Sequence, residues 1–404
     1  MKLQELGQQL VNDSKEIEEE LISIRRHLHK YPELSFKEFE TSNYIEQKLK
    51  EIGLPHKRIG DTGIVAWIDG EKETGSSSSF TIGLRADIDA LPIKEQTGLP
   101  FSSENEGVMH ACGHDGHTTI LLGAARLLYQ NKEHFKGKVV CVFQPGEEED
   151  GAAKEMIRLG VLEHPKVNAM VGLHLWPYIP FGTVGIRSGS MTASCDDFTI
   201  KIKGKSGHGA RPYEGVDAIA VSQYIMQAFQ HLVVKTTSPL DPIVVHVGKI
   251  NGGSARNVIA DEVVLEGTTR TLTNEYREMI EKEVKRLAEN IAHNYNANIE
   301  VDYVWGHSPI TNDEEITNIV NESVREQWGY EKVVELGEPS LGADDFGDFS
   351  QVVPCCYFRL GIKKGDEKAH SLHHPKFSFD DTILLRGAAT FAYIAIKAIN
   401  KMGD

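Results

Sequence analysis

Residues 109–150 read MHACGHDGHTTILLGAARLLYQNKEHFKGKVVCVFQPGEEED. A loop comes first, with His110, Cys112, His114, Asp115 and His117 crowded around Gly113 and Gly116. An apolar stripe follows. Ile120, Leu121, Ala124, Leu127 and Leu128 share one face of a helix that the spacing starts near His117. The run KVVCVFQP is then an apolar segment of strand length, and it stops at a cluster of glutamates. Helix, buried strand and polar residues at the strand's C-terminal end make the repeating unit of an α/β domain.

Outward from this stretch the unit recurs. Upstream, EEELISIRRHLHKYPE is an amphipathic helix that stops before Pro32, and a second helix covers about Phe36–Ile52. GIVAWIDG and FTIGLRADID read as strands, joined by EKETGSSSS as a flexible hairpin-like loop. Downstream, AAKEMIRLG is a helix closed by Gly160, and NAMVGLHLWP is a further buried strand. Strands alternating with helices predict a largely parallel sheet. After Gly189 the pattern changes. DFTIKIKG alternates, with Phe198, Ile200 and Ile202 on one face, and residues 216–234 are helical. PIVVHVGKIN and DEVVLEGTTR are strands. Residues 274–294 are helical, with Tyr276, Ile280, Leu287 and Ile291 in a stripe, and NIEVDYVW alternates again. The order β-α-β-β-α-β is the ferredoxin-like arrangement. It predicts an inserted domain at 190–307, with 1–189 and 308–404 forming the other and a last helix from Asp381.

A length of 404 residues fits two domains. The formal net charge of −16 disfavours a nucleic-acid partner, since phosphate binding needs a basic face. The charged start MKLQELGQQLVNDSKEIEEE has no apolar core of a signal peptide. No stretch approaches the roughly 18 apolar residues of a membrane helix. Five cysteines without regular spacing argue against a disulfide framework and for a reducing compartment. The expectation is a soluble cytoplasmic protein that engages neither membrane nor nucleic acid.

Five places carry residues fit for chemistry. Cys112 and His114, on the loop feeding a helix, suit Zn²⁺, Mn²⁺ or Co²⁺. A lone C-x-H is more often structural. In FQPGEEED one carboxylate can hold metal while the next acts as general base, although a solvated acidic loop looks the same. His174 ends a strand, Asp87 and Asp89 follow another, and His370, His373 and His374 precede the last helix. Each taken singly has a bland reading as a core histidine or a polar loop. Together they fall at successive strand ends of one sheet, where α/β sites form. Independent loops rarely each carry a metal-ligand type at that edge, and the joint pattern points to a metal site.

The chain resembles the M20 family of metallopeptidases and amidohydrolases, in its aminoacylase, hippurate-hydrolase and indole-acetyl-amino-acid-hydrolase branch. The resemblance rests on RRHLHKYPELSFKEFET, LRADIDALPI, MHACGHDGHT, FQPGEE, GLHLWP, GHGARP, ARNVIADE, EGTTRTL and LHHPKF, in family order over nearly the whole chain. It implies a two-domain α/β protein: a phosphorylase/hydrolase-like catalytic domain with an inserted ferredoxin-like lid, through which a homodimer or homotetramer forms. It implies two divalent ions (Zn, Mn or Co) held by Cys112, His114, Glu148, His174 and His373, with Glu147 as general base and Asp89 orienting a ligand. His208 in SGHGARP would hold the substrate or its oxyanion, often in the partner subunit's site, and Asn257 and Arg270 would line the cleft. Arg270 could pair with a substrate carboxylate. The implied reaction is hydrolysis of N-acyl amino acids. A carboxypeptidase or dipeptidase on the same scaffold, or a non-catalytic binder, are the other readings. Some positions depart from the family pattern: Gly146, Glu149–Asp150, Tyr213, Asp344, and His374, which rivals His373 as ligand.

Overall fold

The computed structural model describes residues 2–72, 80–149, 151–236, 238, 241–365 and 370–403. Most of the EKETGSSSS loop (73–79) and Asp150 lie outside the described residues. The chain divides into two units: Met1–Gly189 with Thr311–Glu338 and Asp348–Asp404, and Ser190–Ile310 with Pro339–Gly347.

The first unit is built on an eight-stranded sheet. Its strand order is His56–Ile59, Gly63–Asp69, Lys138–Gln144, Thr81–Asp87, Ala169–Pro180, Cys355–Lys363, Val184–Ile186, Val333–Glu335. The sheet is mixed rather than largely parallel. The four central strands, Lys138–Gln144 to Cys355–Lys363, run parallel. His56–Ile59, Gly63–Asp69 and Lys138–Gln144 pair antiparallel, and so do Cys355–Lys363 and Val184–Ile186. The reason lies in the connections. A few residues join His56–Ile59 to Gly63–Asp69, enough for a hairpin but too few for the crossover a parallel pair needs.

The helix after the Cys/His loop is His114–Gln130, and it begins three residues before the apolar stripe suggested. Gly113 there takes φ +96°, the left-handed conformation that turns the chain into the helix. From His114 to Leu128 every residue except Arg126 is buried, not one face alone. The helix is enclosed by Glu18–Lys30, Ile383–Met402 and the strand Thr81–Asp87. Two glycines allow that approach. A Cβ on Gly123 would stand 2.8 Å from Ala388 Cβ, and one on Gly387 would stand 2.6 Å from Ile120 Cδ1. Ile383–Met402 is the one helix among the described residues long and apolar enough to cross a membrane, contrary to the expectation that no stretch comes close. Of its apolar window 83% is buried inside the protein, so it is a core helix here.

The second unit has a four-stranded antiparallel sheet, ordered Val244–Gly252, Glu262–Arg270, Cys195–Lys203, Asn298–His307. With helices Ala218–Thr236 and Asn274–Asn294 this is the ferredoxin-like β-α-β-β-α-β order. Phe198, Ile200 and Ile202 are buried on one face of their strand, two residues apart, as the pleat requires. On Asn274–Asn294 the fully buried ridge is Ile280, Val284, Ala288 and Ala292, at i, i+4 spacing. Tyr276, Leu287 and Ile291 flank it half-buried.

Candidate metal centre

Sheet register brings the first site residues to one level. Asp87 pairs with Gln144, and Arg85 pairs with Gly172, two residues short of His174. Glu147 and Glu148 follow the strand ending at Gln144, and Cys112 and His114 stand at the start of the central helix. The parallel strands therefore deliver their C-terminal ends, and the helix its N-terminus, to one edge.

At that edge two donor sets share a thiol. One ligand atom each from Cys112, His114 and His174 lies within 4.8 Å of the others, and the same holds for Cys112, Glu148 and His373. His114, Glu147 and Glu148 form a third such group. Cys112 Sγ is 3.3 Å from His174 Nε2, and His373 Nε2 is 3.1 Å from Glu148 Oε1. His373 takes φ +62°, and its N–H donates to the Ala111 carbonyl. That contact ties it to the Cys112 loop. His374, the rival, stacks on His370 and accepts from the Lys376 N–H instead.

Hydrogen bonds fix which ring nitrogens are free. His174 Nδ1 donates to the Leu175 carbonyl at 2.7 Å, which leaves Nε2 as a lone pair facing Cys112. His114 Nδ1 contacts the Asp89 carbonyl at 3.0 Å and Asp89 Oδ1 at 3.1 Å. Among the described residues His114 Nε2 is buried without a hydrogen bond, and so is Glu148 Oε1. Around that nitrogen stand Asp87 Oδ2 and Glu147 Oε2, each at 3.8 Å, and Glu148 Oε1 at 4.0 Å. Those gaps are too long for hydrogen bonds. A buried, unsatisfied nitrogen ringed by carboxylates is costly without a cation in between.

His117 also groups with Asp87 and His114, but both its nitrogens are used. Nδ1 bonds Asp87 Oδ1 at 2.6 Å, and Nε2 accepts the Leu175 N–H at 2.9 Å. It braces the site and has no lone pair to offer. Asp87 is further held by Arg85 Nη1 at 2.7 Å. Asp89 Oδ2 accepts from Ser35 Oγ at 2.7 Å and from the Glu148 N–H at 3.0 Å. Glu38, fully buried, accepts from the Gly146 and Phe36 N–H groups and from Thr62 Oγ1. Glu38 thus grips the loop that carries Glu147. The supporting roles of His117, Asp87 and Glu38 are not legible in the sequence, where Asp87 stands out only as a strand-end carboxylate, because those roles depend on contacts between distant segments.

The electrostatics match a site built for positive charge. Burial, then Glu148, Glu147 and Asp87, push the Cys112 thiol well above its usual range. Burial works to lower His114, yet Asp87 and the Asp89 hydrogen bond raise it to about 10. Burial, with His117 and His114 adding to it, holds His174 well below its usual value. A divalent ion satisfies the carboxylates and thiol and takes the place of the proton on His114.

The remaining sequence-predicted residues belong to the second unit. His208 lies in the short strand Gly207–His208, exposed, with its Nδ1 accepting the Ala210 N–H. Asn257 is brought beside it: its carbonyl accepts the Gly209 N–H at 2.8 Å. Arg270 lies at the opposite end of the Glu262–Arg270 strand.

Residues 83–397 match the family described as Peptidase family M20/M25/M40. The chain is similar to the N-acetyl-L-cysteine deacetylase of Bacillus subtilis (strain 168), 41% identical over 384 residues, covering 95% of this chain and 89% of that one. It is also similar to thermostable carboxypeptidase 1 of Saccharolobus solfataricus, 38% identical over 403 residues, covering 98% and 100%. Among crystal structures, the Bacillus subtilis YXEP protein, a dinuclear metal binding peptidase from the M20 family, matches with a TM-score of 0.83 and 35% identity. That match covers 96% of this chain and 99% of that one.

Proposed function

The chain belongs to Peptidase family M20/M25/M40, metal-dependent hydrolases acting on amide bonds, and from that membership we propose that it cleaves N-acyl amino acids to a carboxylate and a free amino acid. The observation that carries the metal part is the buried, unsatisfied His114 Nε2, with three carboxylates near 4 Å and Cys112 and His174 in the same cluster. Two divalent ions, Zn, Mn or Co, fit two donor sets that share Cys112: one with His114 and His174, one with Glu148 and His373. Bound there, the ions supply Lewis acidity that acidifies water and polarises an amide carbonyl.

The protein's own groups do the rest. Asp89 keeps His114 Nδ1 as the donor, so that Nε2 faces inward. Glu147 lies beside the cluster and is left over when Cys112, His114, Glu148, His174 and His373 are used as ligands. It takes a proton from the attacking water and returns it to the leaving amine. His208 is the second unit's candidate for steadying the oxyanion, and Asn257 and Arg270 are its candidates for substrate contact. The free cysteines support a cytoplasmic setting. The exposed edge strand Val244–Gly252 supports a homodimer or homotetramer through the second unit.

Glu147→Gln tests the mechanism. Turnover should fall at least about a hundredfold with metal content unchanged. Substantial remaining turnover would remove Glu147 from the role of base. Loss of metal would make it a ligand instead.

A further inference from the structure

Arg359 sits on the Cys355–Lys363 strand, in register with His174 on one side and with Gly185 on the other. Paired residues of neighbouring strands point to the same face, so Arg359 emerges beside His174. Its guanidinium carbon lies 3.8 Å from the Trp176 ring centroid. The Trp176 ring in turn meets the His174 ring edge-on at 5.6 Å. One indole therefore separates this cation from a ring of the metal cluster.

Arg359 is only 8% exposed. Among the described residues its guanidinium has no hydrogen bond and no ion pair, and its one contact is the Trp176 ring. The other deeply buried arginines are neutralised. Arg25 binds Asp115 and Asp381, Arg85 binds Asp87, and Arg277 binds Asp196. Burial pulls Arg359 down to about 10, against a smaller opposing effect of the Tyr357 phenol. It stays charged at neutral pH without an anion. A buried cation without a counter-charge is costly, and the ring contact offsets only part of that cost. Among the described residues no carboxylate neutralises it, which leaves its fork available to an anion.

We infer that Arg359 binds the α-carboxylate of the substrate, with the Trp176 ring as its backing. This rests on the reading of the protein as an N-acyl amino acid hydrolase. In such a substrate the carboxylate lies one residue beyond the scissile amide, a span of at most about 3.6 Å. Arg359 stands on the strand next to His174, and its fork suits a carboxylate bidentately. Arg270 of the second unit is the rival for the same carboxylate.

The test compares an N-acetyl amino acid with its C-terminal carboxamide, in which the same acyl bond is cleaved but the charge is gone. Wild type should favour the acid. Arg359→Gln should lower kcat/KM for the acid at least about tenfold, mainly through KM, and leave the carboxamide nearly unchanged. Arg359→Lys, which keeps the charge without the fork, should fall between. Calorimetry of the acid with Glu147→Gln, with and without Arg359→Gln, should show the same loss in affinity. The inference is overturned if acid and carboxamide fall together, or if Arg359→Gln keeps the preference while Arg270→Gln abolishes it. A wild type that cleaves neither compound overturns the hydrolase reading and this inference with it. A wild type that cleaves both while Arg359→Gln retains its preference overturns the inference alone.

Discussion

Asp89→Asn should loosen the metal site without disturbing the fold. The aspartate makes four contacts with three partners. Oδ1 meets His114 Nδ1, Oδ2 accepts from Ser35 Oγ and the Glu148 N–H, and its carbonyl also meets His114 Nδ1. Asparagine keeps the shape and trades one acceptor oxygen for an NH₂ group. If the NH₂ faces His114, two donors collide and the imidazole is pushed to the tautomer whose Nε2 carries the proton. If it faces the other way, Ser35 can turn to accept, but the Glu148 N–H loses its acceptor. A buried donor left unsatisfied costs about 1–3 kcal/mol. Either arrangement weakens one of the proposed ligands, His114 or Glu148, and metal affinity should drop roughly 10–100-fold. Ser35→Ala removes one donor and strands nothing, so its loss should be smaller. The assay is competition against a calibrated chelator, with circular dichroism to show that the fold is kept. A folded Asp89→Asn protein that holds metal at wild-type affinity would refute the reasoning.

Three further outcomes follow from the geometry. His373→Ala should lower metal stoichiometry on elemental analysis while His374→Ala leaves it intact, because only His373 faces Cys112 and Glu148. Glu38→Gln should change how stability responds to pH. Burial raises the Glu38 carboxyl from 4.5 to about 7, a difference worth on the order of 3 kcal/mol. A raised carboxyl favours the protonated fold, so this contribution is whole below pH 4.5 and is lost as pH rises through 7. The wild type's advantage over Glu38→Gln in urea melts should therefore shrink from pH 5 to pH 8. Gly387→Ala drives a methyl against Ile120 and should cost about 1–3 kcal/mol, read as a lowered thermal midpoint.

The second unit was legible because its strands have one wet face. Phe198, Ile200 and Ile202 alternate with polar residues, and the helices separate the strands cleanly. The first unit was harder. CCYFRLGI is buried at every position from Cys355 to Ile362, so it shows no alternation to mark a strand. It joins the sheet between segments far away in sequence. In Leu3–Glu16 the charges mask the apolar positions; Leu6, Leu10 and Val11 form its buried face. At the site, residue types pointed to Cys112 and His114 on the loop before a helix, to His174 and to the FQPGEEED glutamates, and the family resemblance singled out Glu148 among them. Sequence spacing carries no sign that His117 is saturated or that Arg359 has no ion pair among the described residues. Both facts depend on which distant chain segment lies alongside.

The measurement that tests the central claim most directly is free-amine release from N-acetyl, N-benzoyl and N-indoleacetyl amino acids and from dipeptides. Each is run after chelator treatment and again with Zn²⁺, Mn²⁺ or Co²⁺ restored. The expected result is release from the acyl amino acids that chelator abolishes and metal restores, with dipeptides slower. Release that survives chelator, or silence across the acyl set while dipeptides are cleaved, would contradict it.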